Sequence, residues 1–461
     1  MKALRDPQQL LAGGLAEIRA QFKVADGFPP EVLAAAQAAA ARPLVDHADR
    51  TDRPFVTLDP ASSTDLDQAF AIERAGNDLL LHYAIADVAW FVSDGDPLDA
   101  EAWKRGTTIY LPDGKAGLYP PVLAEGAASL LPDGPRPSVV FSVRIAPDGA
   151  VKLDGTERAI IRSRAKLAYE TVTDADVPEG FAELADRITA AEDRRGAARI
   201  DPPEQVVERS ADGQFTLRLR PQLKSELQNA ALSLATNLAV ADALLAAHTG
   251  LFRVMPAPDE GAVTRLRHTA KAFGLEWPAA MPLDQFERRL DPTDPRHAAF
   301  MLAIRRAGNG ASYEPWQAGK LPWHSAMAAT YAHATAPLRR LADRFVIRAA
   351  LAVTNGQPVP PAVTEAFGKL PAVMQKTEAR ASQIDRAVID LAEAALLSGR
   401  EGERFDAMVT DIGPNGARIQ LCDLPVVARS IAHGVFPGDR IKVKLDGADT
   451  ERRELHFARV G

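Results

Sequence analysis

Two short stretches of helical spacing open the chain. LLAGGLAEIRAQF and PPEVLAAAQAAAARPL both place apolar residues at intervals of three and four, with Phe28-Pro29-Pro30 between them, so residues 1 to about 45 read as helices. From residue 54 the period shortens to two. PFVTLD is a short strand stopped by Pro60. QAFAIERAGNDLLLHYAIADVAWFV reads as a hairpin turning at Gly76-Asn77-Asp78. TTIYLP at 107–112, SVVFSVRI ending at Ile145 and AIIRSRAKL at 159–167 add further strands. Helices predominate from about 165 to 400. QLKSELQNAALSLATNLAVADALLAAH is the clearest, long and apolar and ended by Gly250, and DEGAVTRLRHTAKAFG, TAPLRRLADRFVIRAALAV and ARASQIDRAVIDLAEAALLS follow it. SGREGER at 398–404 is a linker. RFDAMVTDI, GARIQL, VVARSI, DRIKVKLD and ELHFARV then give five short strands separated by turn residues, the pattern of a small five-stranded OB-type barrel.

The size of the chain fits this division, because 461 residues are too many for one ordinary core. At 46% hydrophobic and 25% charged it has the composition of a soluble globular protein. A net charge of -7 argues against a surface coated with basic residues and leaves room for a local basic channel. The single cysteine, Cys422, excludes an internal disulfide and a cysteine-rich zinc site. The N-terminus is interrupted by charge too early for a signal peptide, and the longest apolar runs are broken by residues such as Asp87. No transmembrane helix is therefore expected, and a reducing cytoplasm fits.

Candidate chemistry concentrates in TLDPASSTDLDQAF, residues 57–70, where Asp59, Asp65 and Asp67 share one loop with no lysine or arginine near in sequence. Asp65 and Asp67 are two apart, so an extended chain points them to one side. Such a set calls for a counter-charge, and magnesium is a natural one because it takes hard oxygen ligands. The competing reading is a solvated turn, since Asp and Ser favour turns anyway. An EF-hand loop fails: counting from Asp59, positions three and five are Ala61 and Ser63, and Phe70 stands where Glu belongs. No G-x-S-x-G elbow, GxxxxGK[ST] loop or H-E-x-x-H pair occurs. In YAHATAPLRRLADRF, residues 331–345, Thr335 can cap a helix and Pro337 suits its first turn. Arg339 and Arg340 then fall just inside it, an arrangement suited to phosphate. The alternative pairs the arginines with Asp343 on a solvated face.

These stretches, taken in order, resemble the ribonuclease II / ribonuclease R (RNB) exoribonuclease family. TLDPASSTDLDQAF looks like its acidic loop, and AIADVAWFV with LDAEAWKRGTTIYLP, RAKLAYETV, LFRVMPAPDE and YAHATAPLRR follow in the family's order over about residues 50 to 395. The terminal barrel resembles the family's S1-type RNA-binding domain. The resemblance implies Mg²⁺-dependent, processive 3′→5′ hydrolysis of single-stranded RNA to nucleoside 5′-monophosphates. It makes Asp59, Asp65 and Asp67 metal-site carboxylates, with Asp67 most critical for the chemical step. It makes Tyr110 and Tyr169 the aromatic residues that stack on terminal bases, and Arg339 the arginine at the scissile region. Asp385 falls near an acidic position that touches the last sugar.

Three departures stand out. Gln68 occupies the place of a fourth acidic residue; its carbonyl can still ligate a hard cation, so weaker metal affinity is expected, and Gln68→Asp is expected to lower the Mg²⁺ requirement. The segment ahead of Asp59 reads as helical where the family usually carries cold-shock-type domains, so a different RNA entry path is expected. Ala230 and Ala231 stand where the family often has an acidic pair, with Glu226 one turn upstream. Phe405 and Phe457 alternate with core-like residues, so the barrel's grip on RNA is expected to be mainly electrostatic.

The sequence thus predicts an α+β architecture with three parts: a helical N-terminal module over 1–48, of helix-turn-helix or winged-helix type or a simple cover, an RNB catalytic domain over 49–398, and an S1-like OB-fold barrel over 402–461. The expected activity is that of a cytoplasmic, monomeric exoribonuclease acting on single-stranded RNA with a free 3′ end, with no membrane partner. The alternatives are a catalytically impaired RNA-binding protein of the same fold and a metal phosphoesterase with another substrate.

Overall fold

In the computed structural model, the structure describes residues 4–5, 10–198, 204–209, 215–220, 222–291, 294–308, 310–413 and 416–460. Residues 1–3 and 6–9 of the expected N-terminal module, 199–203, 210–214, 221, 292–293 and 309 of the expected catalytic domain, and 414–415 and 461 of the expected barrel lie outside them. Two helices, α1 (Leu10–Gln21) and α2 (Pro30–Ala40), precede a run of strands: β1 (Phe55–Asp59), β2 (Gln68–Ala75), β3 (Asp78–Ala86), β4 (Ile109–Leu111), β5 (Gly114–Ala116), β6 (Arg136–Ile145), β7 (Val151–Ile161) and β8 (Ser163–Ala168). Among the helices that follow are α3 (Lys224–Ala246), α4 (Leu341–Thr354) and α5 (Pro361–Leu397), and then come the strands β9 (Arg404–Gly413), β10 (Gly416–Leu421), β11 (Val427–Ile431), β12 (Arg440–Asp449) and β13 (Glu454–Arg459).

The central sheet has the order β8-β1-β2-β3-β6-β7, with the two-residue strand Ala48–Asp49 outside β7. Its interior strands are antiparallel, while β8 runs parallel to β1 at the edge. Only Arg162 separates β7 from β8, although they lie toward opposite edges in the strand order. One residue reaches at most about 3.6 Å, so the sheet must curl until its edges adjoin. That curl is why AIIRSRAKL, expected as one strand, is two. The parallel pairing of β8 with β1 brings Ala168 level with Asp59, so Tyr169 leaves the sheet at the same end as the acidic loop.

Helices α3 and α4 cover the sheet, joining Phe55, Phe70 and Phe141 to Leu232, Leu238, Phe345 and Val346 in one core. By length and composition α3 could cross a bilayer, contrary to the expectation that no helix would, but two thirds of its apolar window (67%) is buried in this core. The expected hairpin through residue 92 ends at Ala86, and Val88–Phe91 form a helical turn. The stretch from 165 to 400 also contains strands absent from the sequence expectation, including a hairpin of Glu204–Arg209 with Phe215–Arg220.

The N-terminal helices do not make a unit with its own core. Leu11, Leu15 and Ile18 of α1 pack with Ile384, Val388 and Leu391 of α5. Gly14 permits that approach, since a Cβ there would run into the Leu391 side chain. Val32, Ala36 and Ala39 of α2 instead join the main core. A helix-turn-helix reading fails because each helix buries its apolar face elsewhere.

The terminal strands close into a barrel of order β9-β10-β11-β13-β12. Leu397, the last residue of α5, lies in the barrel core and seats the barrel on that helix. Phe457 is buried there and Phe405 packs against it edge-on at 6.1 Å.

Candidate active site

The acidic loop follows from the sheet. β1 delivers Asp59, a turn closes where the Ser63 N–H donates to the Pro60 carbonyl (3.0 Å), and the chain returns through Thr64–Asp67 into β2. Leu66 anchors the return. Its side chain is fully buried, its N–H donates to Ser129 Oγ (2.9 Å) and its carbonyl accepts from Leu130 (3.0 Å). In extended chain the residues on either side of it, Asp65 and Asp67, share the opposite side.

Asp67 is 6% exposed. Its Oδ1 accepts the Leu338 N–H at 2.7 Å, and Oδ2 lies 3.5 Å from Arg339 Nε. Burial outweighs both partners and pushes its carboxyl up to about 8. Burial likewise pushes Asp59 up to about 7, opposed by Arg339 and Lys166 and reinforced by Asp65. Asp65 stands differently. Lys115 Nζ lies 2.8 Å from its Oδ1 and the Tyr110 hydroxyl donates to its Oδ2 at 3.0 Å. Tyr110 and Lys115 face each other across the β4–β5 hairpin, which is why both reach one carboxylate.

Gln68 was expected as a metal ligand, and its hydrogen bonds give it a different job. Its Oε1 accepts from the Tyr83 hydroxyl and from Ser233 Oγ (3.1 Å), while its Nε2 donates to the Thr335 carbonyl (2.8 Å). Both carbonyl lone pairs are occupied, and the side chain braces β2 to α3 and to the segment before α4. Among the described residues no three acidic, histidine or cysteine side chains converge as a metal cage. The sequence expectation set Asp59, Asp65, Asp67 and Gln68 around one metal; in the structure Asp65 pairs with the hairpin lysine while still acting on Asp59 and Asp67, and Gln68 is bonded into a neutral network.

The segment before α4 also departs from expectation. The helix starts at Leu341, so Arg339 and Arg340 precede it instead of lying in its first turn. A bridge between Thr107 and Arg340 holds Arg340 extended, and the Arg339 carbonyl accepts from Thr107 Oγ1 (2.8 Å) and the Thr108 N–H (3.0 Å). Thr335 caps nothing; its hydroxyl accepts from Asn237 at 3.3 Å. Arg340 is turned inward onto buried Asp343, with bonds of 3.0 and 2.9 Å, while Arg339 is 48% exposed beside Asp67.

Tyr110 is 49% exposed next to the loop. Tyr169 is half-buried, and its hydroxyl accepts from Asn229 Nδ2 (2.8 Å), which also donates to the Leu58 carbonyl (3.2 Å). Glu226 caps the start of α3 by accepting the Leu223 N–H (2.7 Å) and pairing with Arg220. Asp385 is exposed on α5, one residue from Ile384, which packs with Ile109 and Leu111 of β4. Sequence reasoning missed Lys115, Asn229, Ser233 and Tyr83. Only Lys115 offered a signal, as a charge three residues after TTIYLP.

Arg339 thus acts on both Asp59 and Asp67, as Asp65 does with the opposite sign, while Tyr110 bonds Asp65 and Tyr169 follows the strand residue level with Asp59. A profile of the RNB domain matches residues 47–355, and one of the RNase II-type exonuclease C-terminal S1 domain matches 403–460. Ribonuclease R of Thermotoga maritima is 28% identical over 94% of this chain and 68% of its own length. Ribonuclease R of Escherichia coli is 26% identical over 89% of this chain and 57% of its own. The chain therefore spans between about half and two thirds of these relatives. The structure of Mycoplasma genitalium RNase R in complex with ribose-methylated single-stranded RNA shares the fold, with a TM-score of 0.87 at 20% identity over 98% of this chain and 78% of that one.

Proposed function

Because the chain belongs to the RNB-domain family, we propose that it is an exoribonuclease that hydrolyses single-stranded RNA processively from the 3′ end to nucleoside 5′-monophosphates, with Mg²⁺ as its metal. The observation that carries this reading is the pair Asp59 and Asp67. Burial raises the proton affinity of both carboxyls, and only Arg339, Lys166 and one backbone N–H oppose it. Asp59 makes no side-chain hydrogen bond among the described residues. A buried carboxylate, Asp67, and a part-buried one, Asp59, both short of positive charge, fit a hard cation that keeps water and phosphate among its ligands. Asp59 and Asp67 would hold it. When bound, the ion supplies charge to the scissile phosphate and acidifies a coordinated water.

The chain's own groups do the rest. The Leu338 N–H fixes the carboxylate of Asp67. Arg339, exposed on the open side, meets charge that builds on the phosphate. Tyr110 and Tyr169 clamp bases without reading sequence, each stack contributing ~1–3 kcal/mol. Arg340, also a candidate for RNA contact by its sequence position, holds the loop through Asp343.

A second reading, an RNA-binding protein of the same fold with impaired catalysis, draws support from Gln68 and Lys115, which leave the loop poorer in free negative charge. Incubating the protein with a 3′-tailed RNA, with and without Mg²⁺, separates the two. Mg²⁺-dependent release of nucleoside 5′-monophosphates supports the nuclease. Binding without release supports the second reading. A parallel incubation with DNA and a small phosphodiester tests the broader phosphoesterase alternative.

A further inference from the structure

Asp65 has a charge partner of its own, and that partner is bound as an ion would be. Lys115 Nζ bridges two carboxylates, Asp65 Oδ1 at 2.8 Å and Glu125 Oε1 at 3.2 Å, and comes within 3.4 Å of Thr64 Oγ1. The second oxygen of each carboxylate is also taken, that of Asp65 by Tyr110 and that of Glu125 by the Thr64 hydroxyl at 3.0 Å. The arrangement is fixed by the fold. Lys115 lies opposite Tyr110 in the hairpin register, Thr64 is held by Ser129, and Glu125 sits on the turn just before Ser129. A cavity of about 340 Å³, lined by Asp65, Lys115, Glu125, Arg105 and Thr108, opens beside the ammonium. The bridged position is therefore reachable from solvent, and truncating the lysine leaves space for an ion.

We propose that the Lys115 ammonium is a built-in cation that holds Asp65 and Glu125 where a second divalent ion would otherwise sit, so that the protein carries one divalent ion, on the Asp59–Asp67 side of the loop. The inference rests on the active-site reading above. A monovalent ammonium on a tether neutralises Asp65 without depending on the metal concentration, and the three donors of an ammonium suit a bridge among carboxylates and a hydroxyl.

The test counts ions on the full chain. Mn²⁺ is titrated into the RNA-free protein and bound ions are counted by electron paramagnetic resonance. Wild type is expected to bind one Mn²⁺. Lys115→Met is expected to bind two, because Asp65 and Glu125 are then unpaired, while Lys115→Arg keeps one. Two ions on wild type overturn the proposal with no variant needed. So does a Lys115→Met protein that still binds one ion with unchanged affinity. Asp67→Asn in the same titration should lose the single ion; if it keeps it, the active-site reading falls first, whatever Lys115 does.

Discussion

Asp65 and Asp67 are separated by one buried leucine, and their surroundings are opposites. Asp65 is met by a lysine and a tyrosine from one hairpin. Asp67 is enclosed, held by one backbone N–H and half a guanidinium contact. The same residue type at period-two spacing therefore has two roles. The counter-charge, which spacing alone does not reveal, decides which carboxylate is short of a cation. The largest effect that tests this contrast is Asp67→Asn. It removes the charge but keeps the shape and the bond to Leu338. The expected loss in single-turnover hydrolysis is on the order of 10³-fold, the scale of deleting a preorganised charge in an enclosed site. RNA affinity, measured by fluorescence anisotropy, should stay close to wild type. Hydrolysis at near wild-type rate would remove Asp67 from the chemistry.

Much of this was legible in the sequence, for identifiable reasons. The barrel strands carry alternating apolar residues and Gly, Pro or Asp turns, both local signals, and the five elements appear where that pattern puts them. The acidic loop is local too. What escaped depends on distant contacts. Gln68 meets Tyr83 15 residues away, Ser233 165 away and Thr335 267 away, so in sequence it looks only like a missing acid. The start of α4 was misplaced because Thr335 and Pro337 make a plausible cap locally. Thr107, 233 residues earlier, overrides it by pulling Arg340 into extended backbone. The N-terminal helices were read as a module because periodicity shows that a helix has an apolar face and says nothing of what covers it.

Gln68→Asp sharpens the contrast next. Sequence reasoning expects the aspartate to restore a ligand and lower the Mg²⁺ requirement. The structure gives the reverse expectation. The shorter side chain loses its bond to the Thr335 carbonyl and places a negative charge against that oxygen, in a network built from neutral groups. The expected cost is ~1–3 kcal/mol, the desolvation penalty of leaving buried polar groups unpaired, read as a lower Tm with no gain in Mg²⁺ affinity. A variant with unchanged Tm and a lower Mg²⁺ requirement would show that position 68 faces the ion.

The pH dependence of the metal-free protein follows from the raised carboxyls. Asp67 holds its proton up to about 8 and Asp59 up to about 7 when folded, while both release it near 4 when unfolded. Between those values the folded state binds more protons, so stability falls as pH rises, by up to about 1.4 kcal/mol per pH unit for each such group. Denaturant melts in EDTA from pH 5 to 9 should show this decline, and saturating Mg²⁺ should flatten it by supplying the absent charge. A metal-free profile that is flat or rises over that range would mean the two carboxylates are already compensated.

The smallest effect separates two jobs of one residue. Tyr110 offers an exposed ring for stacking and a hydroxyl that bonds Asp65. Tyr110→Phe keeps the ring and removes the hydroxyl. Because Lys115 remains on Asp65, the carboxylate is still compensated, and RNA affinity should change by less than about fivefold, since one exposed hydrogen bond has a net worth of about 0.5–1 kcal/mol at most. Tyr110→Ala, which removes the stack as well, should weaken binding by about 5- to 150-fold, the equivalent of ~1–3 kcal/mol. If the phenylalanine variant instead falls as far as the alanine one, the hydroxyl on Asp65 is the element that matters. Asp65 would then be held by tyrosine and lysine jointly, and the division between a lysine-compensated carboxylate and a metal-seeking one would have to be redrawn around Tyr110.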